Sequence, residues 1–140
     1  MTYSTIQDMQ NQFGDDDLLS VADRDGDNAM DLPVINAALD RASSEIDSYL
    51  ATRYKLPLSS VDISVKGVCL DIAMYHLSQG AGLVTEDKRQ RYEDAIAWLR
   101  RVSDGKAALP GQQSPNSPSP KPIVIAGPER QFRRDQLKGL

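Results

Sequence analysis

Cysteine and histidine each occur once in the 140 residues, as Cys69 and His76. A lone cysteine cannot form an internal disulfide, and the apolar neighbours of Cys69 indicate a small buried side chain. One histidine and one such cysteine cannot supply a Ser/His/Asp or a Cys/His catalytic set. They also cannot build a typical zinc site, so His76 is interpreted as a partly buried packing residue. We therefore expect a protein that is not an enzyme.

Long apolar runs are missing too, and none reaches the roughly 20 residues that a membrane-spanning helix needs. No basic stretch followed by an apolar core opens the sequence, so we expect no secretory signal. Glycine-rich phosphate loops and internal repeats are not found. The formal net charge of −4 argues against attraction of the whole protein to nucleic acid. These absences favour one small domain with a structural or binding role.

The most regular pattern runs from Asp31 to Leu58 and predicts one helix of about 22 residues, roughly 33 Å long. Asp31 is a candidate N-cap, Pro33 fits the first turn, and Pro57 ends the helix. A helix of this length needs other helices packed on its apolar stripe. The stripe consists of Val34, Ile35, Ala38, Leu39, Ala42, Ile46, Leu50 and Tyr54.

Two short helices are predicted before this long one. Ser4 or Thr5 caps the first, with Asp8 placed for a capping box, and Gly14 is a natural C-terminal residue. The run of aspartates from Asp15 suits the positive end of the second helix.

Two long helices are predicted after it. The first starts at Asp62 or Ser64 and runs to about Gln79, and the second runs from Thr85 to Gly105. The sequence thus predicts an all-α fold, a bundle of three long helices with short N-terminal helices. We expect a shared core of Ile46, Leu50, Val68, Ile72, Ile96 and Leu99.

The stretch DRDGDNAMD is the one segment with metal-site chemistry. Asp23, Asp25, Asp27 and Asp31 match the first, third, fifth and ninth positions of a calcium loop. Val34 stands where such a loop needs a bidentate glutamate, so calcium would bind weakly. The alternative interpretation is an Asp/Gly-rich turn without an ion, whose last residue caps the long helix.

A structural ion pair is predicted between Arg53 and Asp71. Asp71 lies on a helix that is otherwise rich in apolar positions, and a buried carboxylate needs a partner. Arg53 near the end of the long helix is the candidate. The alternative is an exposed Asp71 on a narrow polar edge.

The composition changes after residue 105. The predicted organisation is a helical domain (1–105), a Pro/Ser-rich linker (106–122) and a C-terminal binding arm (123–140). The arm can add a short β-strand to a partner and fill pockets with its side chains. Its candidate partner-binding residues are Ile123, Val124, Ile125, Arg130, Phe132, Arg133, Arg134, Leu137 and Leu140.

Six motifs occur in a distinctive order along the chain. They are Y-S-T-x-x-D-M from Tyr3, D-R-D-G-D from Asp23, I-D-S-Y-L-x-x-R-Y-x-L-P-L from Ile46, D-I-A-x-Y-x-L from Asp71, R-Y-E-x-A from Arg91 and the C-terminal Q-F-R-R-D-x-L-K-G-L. Together they resemble the Mu-like prophage family of small virion proteins, thought to be head–tail connector or adaptor proteins. The similarity covers essentially the whole chain.

The resemblance implies an all-α subunit made in the host bacterial cytoplasm and placed in the neck of the virion. It implies a ring of roughly twelve adjacent copies, following portal symmetry. The implied partners are the portal protein and a tail-side neck protein, with DNA passing through the channel without specific binding. It implies no catalytic residues, and from the residues themselves we expect no cofactor and no membrane contact.

Two other classes of function remain open from the residues. One is a calcium-stabilised helical interaction module, which rests on the Asp-rich loop. The other is a helix-turn-helix DNA-binding protein, since several helices are joined by short links. Against the latter, no predicted helix has a clustered basic face with side chains available for base edges.

Overall fold

The computed structural model describes residues 1–112, and within this range the protein is all-α. The five helices appear in the predicted order, which confirms the fold class. They are α1 (Ile6–Phe13), α2 (Asp15–Ala22), α3 (Leu32–Leu50), α4 (Ile63–Ala81) and α5 (Glu86–Ser103). The predicted arm, 123–140, and most of the predicted linker lie outside the described residues.

Side-chain caps fix where three of the helices begin. Thr5 accepts a hydrogen bond from the amide of Asp8, whose carboxylate accepts from the amide of Thr5, so the predicted capping box is present. Asp62 accepts from the amide of Ser64 at the start of α4, and Thr85 accepts from the amide of Lys88 at the start of α5. Local sequence signals therefore set these starts.

The end of α3 differs from the prediction. The helix stops at Leu50 rather than close to Pro57, and the carbonyl of Leu50 accepts from the amides of Arg53 and Tyr54 in a tight turn. The turn buries the side chains of Tyr54 and Leu58 under the bundle. Burial of these two side chains is the physical reason for the earlier stop, because a straight helix could not bring both back to the core.

Helix α4 is the centre of the bundle, because all four other helices contact it. The short connection after Gly82 makes α4 and α5 antiparallel neighbours. Helices α3 and α5 run in the same direction, since Tyr92 bonds to Glu45 and Ser103 to Thr52.

The predicted core is confirmed apart from one residue. Ile46, Leu50, Ile72, Ile96 and Leu99 are all buried in a single cluster. Val68 packs against the edge of this cluster and is only partly buried. Within residues 1–112, no helix is both long enough and apolar enough to span a membrane.

The N-terminal residues pack into the bundle rather than extending from it. Tyr3 and Ser4 are buried, the amide of Tyr3 donates to Ser43 Oγ at 3.1 Å, and its hydroxyl donates to Asp47. Burial, followed by the contact with Asp47, raises the pKa of Tyr3. Cys69 lies beside Ser43 and is fully buried, and burial raises the pKa of its thiol. The expectation of a buried cysteine is confirmed.

The chain remains packed on the bundle beyond α5. Leu109 is 3% exposed, and its amide donates to the hydroxyl of Tyr54 at 3.0 Å. The side-chain amide of Gln112 donates to the carbonyl of Ser60 at 2.8 Å, and Ser59 donates to the Gln112 side-chain oxygen. The packed part of the protein therefore continues past residue 105, the predicted end of the helical domain. The described chain ends at Gln112, beside the loop that leads into α4.

Candidate functional site

The Asp-rich loop between α2 and α3 brings three of its four aspartates together. One carboxylate oxygen each from Asp23, Asp25 and Asp27 lies within 4.8 Å of the others. Asn28 has a φ of 63°, the left-handed conformation expected at the sixth position of a calcium loop. These three carboxylates are the residues that could hold a divalent cation.

Asp31 does not join this cluster and does not cap α3 with its side chain. Its carboxylate accepts from the amide of Arg24 at 2.8 Å, while its backbone carbonyl accepts from the amides of Val34 and Ile35. The prediction of a side-chain cap is therefore wrong, because the carboxylate closes the loop instead. Val34 lies in the first turn of α3 and offers no side-chain oxygen, so the loop lacks the ligand that makes calcium loops strong.

The carboxylates of the loop are held by its own backbone. Asp23 accepts from the amides of Gly26 at 2.7 Å and Asn28 at 3.0 Å. Desolvation raises the pKa of Asp23, but these bonds outweigh it and hold the pKa below its usual value. The amide of Asp27 lowers the pKa of Asp25, yet desolvation and the neighbouring charges outweigh that bond and raise it. This arrangement also fits a turn closed by aspartate side chains without an ion.

Asp71 and Arg53 each have a partner other than the one predicted. Arg91 of α5 approaches Asp71 with a nitrogen–oxygen distance of 3.9 Å. Arg53 instead donates to the carbonyl of Val102 near the end of α5. The predicted pair is therefore wrong, because Arg53 turns toward the C-terminal end of α5. Burial raises the pKa of Asp71, against the lowering effect of Arg91.

A polar cluster that sequence reasoning did not identify lies where α3, α4 and α5 meet. The Glu45 carboxylate contacts His76 Nε2 at 3.0 Å and accepts from the Tyr92 hydroxyl at 2.8 Å. The rings of Tyr92 and Tyr75 stack with their centroids 4.2 Å apart. The His76 side chain is only 6% exposed. It is therefore a packing residue, as predicted. It also contacts Glu45, whose carboxylate links α3 to α4 through His76 and to α5 through Tyr92.

We expect Tyr92→Phe to reduce the free energy of unfolding by about 1 kcal/mol, because it removes a hydrogen bond to Glu45. Burial, followed by that bond, raises the pKa of Tyr92 to about 12. A raised pKa favours the neutral hydroxyl, so the wild-type advantage is complete below the unfolded pKa of about 10. It is lost as the pH rises through about 12.

Urea unfolding of both proteins at neutral and alkaline pH measures this difference. Tyr75→Phe is the matched control, because it alters the other ring of the same stack. A difference between wild type and Tyr92→Phe that stayed constant up to the folded pKa would contradict the assignment.

The predicted partner-binding residues lie outside the described residues. They are Ile123, Val124, Ile125, Arg130, Phe132, Arg133, Arg134, Leu137 and Leu140. The structure does establish their point of departure, since Gln112 is bonded to Ser59 and Ser60 just before α4. The described chain therefore ends against the loop that precedes α4.

Comparison with known proteins gives a consistent result. The family model described as "Bacteriophage Mu, Gp36" matches residues 3–125. Gene product J of Escherichia phage Mu is 34% identical over 122 residues, which cover 86% of this chain and 84% of that protein. Mu-like prophage FluMu protein gp36 of Haemophilus influenzae is 40% identical over 81 residues, or 58% of this chain and 56% of the relative.

Proposed function

Because the chain belongs to the bacteriophage Mu Gp36 family, we propose that it is a structural virion protein that connects the phage head to the tail. In this proposal it acts in the neck of the particle after synthesis in the host cytoplasm. The subunits form a ring of adjacent copies, with the portal protein on one side and a tail-side neck protein on the other.

The observation that carries this proposal is the way the chain leaves the bundle. Leu109 and Gln112 are bonded to the connection between α3 and α4, and 28 residues follow. Those residues combine a Pro/Ser-rich stretch with apolar and basic side chains. A compact domain followed by such a segment is suited to reaching a neighbouring subunit.

The charge of the domain supports a place around a DNA channel. The first 31 residues contain many aspartates and a single basic residue, Arg24. Exposed ones include Asp15, Asp16, Asp17, Asp25 and Asp27. A carboxylate-rich surface repels phosphates, so a channel lined by it would let DNA pass without holding it.

Deletion of the gene from an inducible prophage tests the connector function. We expect DNA-filled heads and complete tails to accumulate separately in electron micrographs, because neither structure is built from this protein. Wild-type protein supplied from a plasmid should restore joined particles. Normal yields of joined particles without the protein would overturn the proposal, and so would a failure to make heads or tails.

A further inference from the structure

The first half of α4 presents a face whose N-terminal part, at Ile63 and Gly67, is left open by the described part of the chain. Ile63, Gly67 and Asp71 are four residues apart and so lie along one side of the helix. Ile63 is 81% exposed, and a Cβ placed on Gly67 would meet no atom within 4 Å. We call these three residues the α4 start face.

Gly67 points to a contact outside the subunit. Glycine inside a helix costs roughly 1 kcal/mol relative to alanine. Close internal packing is often the reason for such a glycine, yet the described residues leave open space here. A bare helix surface of this kind admits the close approach of another backbone.

Asp71 lies at the other end of the face, and its negative charge is only partly neutralised by Arg91. Its side chain is 27% exposed, and its distance of 3.9 Å from Arg91 is long for a charge-assisted hydrogen bond. Arg91 also bonds to Asp87 at 3.0 Å, so it is shared between two carboxylates. A further cation brought to this position would be stabilised.

We propose that the α4 start face binds the segment from Ile123 to Arg134 of a second copy of this chain. The inference rests on the proposed function and names the surface through which adjacent copies join. The contact is heterologous, because the segment of one copy meets the helix of the next, and repetition around an axis closes a ring.

The order of side chains along the segment matches the order along the face. Ile63 and Gly67 provide an apolar, open surface for Ile123 to Ile125, whereas Asp71 provides a negative charge for Arg130. Eight helical residues separate Ile63 from Asp71, or about 12 Å. The five residues from Ile125 to Arg130 can span up to about 17 Å, which is enough to reach Asp71 from either Ile63 or Gly67.

The length and composition of the connection favour a second copy over the same one. Gln112 is bonded to Ser60, which is close to Ile63 in the same chain. Ten residues then precede Ile123, and proline favours extended backbone of about 3.1 Å per residue. Ten residues in that geometry would span about 31 Å, a length suited to reaching the α4 start face of a neighbouring copy. The prolines are Pro115, Pro118, Pro120 and Pro122.

Disulfide trapping between two full-length variants tests the inference. Gly67→Cys and Ile125→Cys are purified separately, mixed at several hundred micromolar and oxidised mildly. Cys69 is buried and leaves the introduced thiols as the reactive ones. We expect a dimer whose linked peptides join positions 67 and 125.

The matched control replaces Gly67→Cys by Ser44→Cys, at an exposed position on α3. Equal dimer yields for both pairs would overturn the inference. A chain carrying both Gly67→Cys and Ile125→Cys that links only within itself would also overturn it. Adding Ile63→Asp to the Gly67→Cys partner should reduce the dimer severalfold at unchanged Tm, because Ile63 is exposed. An undiminished yield with this variant would contradict the contact.

These outcomes are separable from the connector function. Unjoined heads and tails in the deletion strain, without selective trapping, would leave the connector function and overturn this contact. Selective trapping, with particles that join normally in the deletion strain, would support this contact and overturn the connector function.

Discussion

A chain that ends at Pro122 is expected to fold as stably as the full protein and yet to leave phage heads and tails unjoined. The five helices and the packed Leu109 lie before the cut, so the core keeps all its described contacts. The removed residues 123–140 carry the apolar and basic side chains proposed to hold a neighbour. A second contact between subunits, tethered to the first, can raise their overall affinity by about a hundredfold or more. Its loss should therefore abolish assembly.

Complementation of the deletion prophage with the truncated gene measures this effect as infectious particles per cell. A matched variant keeps the full length but replaces the residues from Ile123 to Ile125 with serine. It should fail in the same way if the apolar contact is what matters. Thermal melting of both proteins should stay close to that of the wild type. Infectious particles at the wild-type yield would contradict the role of the segment.

Truncation of Ile72 to alanine is expected to lower the free energy of unfolding by about 2–5 kcal/mol. Ile72 is 0% exposed and lies on α4, the helix that all the others contact. Removal of its side chain loses apolar burial and leaves a cavity, because the surrounding helices cannot fully close around it. Denaturant unfolding of the purified protein gives the difference directly.

Ile63→Ala is the control for this experiment. It is the same substitution on the same helix, but at a side chain that is 81% exposed in the single chain. We expect it to change stability by no more than about 0.5 kcal/mol, the range of ordinary surface substitutions. Similar costs at the two positions would show that Ile72 does not lie in the core.

The starts of the helices could be predicted from the sequence because they depend on nearby residues. Thr5, Asp62 and Thr85 each bond to an amide two or three residues later, so a short window of sequence contains the whole interaction. The apolar spacing on α3, α4 and α5 predicted the core for a similar reason, since it fixes the buried side of each helix.

The end of α3 could not be predicted in this way. The turn after Leu50 forms because Tyr54 is buried and receives a hydrogen bond from Leu109, which is 55 residues away. Pro57 would terminate a helix, but tertiary contacts end α3 at Leu50, seven residues earlier. Distant burial outweighed the local signal.

In the candidate site, too, local features could be predicted from the sequence and contacts between distant residues could not. The cluster of Asp23, Asp25 and Asp27 was predicted, because its geometry arises within one short loop. The contact of Glu45 with His76 and Tyr92 was not, since it depends on how three helices are aligned with one another. Asp71 shows the same limit: burial indicated that it needed a partner, but only the packing of α5 identified Arg91.

The bonds of Leu109 and Gln112 also determine how the domain responds to mechanical force. Tension on the C-terminal segment first meets Gln112 at Ser60 and then Leu109 at Tyr54. Both anchors are on the connection between α3 and α4, so the pull is applied there before it reaches the end of α5. While these bonds hold, the tension does not pull α5 off the bundle. Both attachments must break before the end of α5 carries the load.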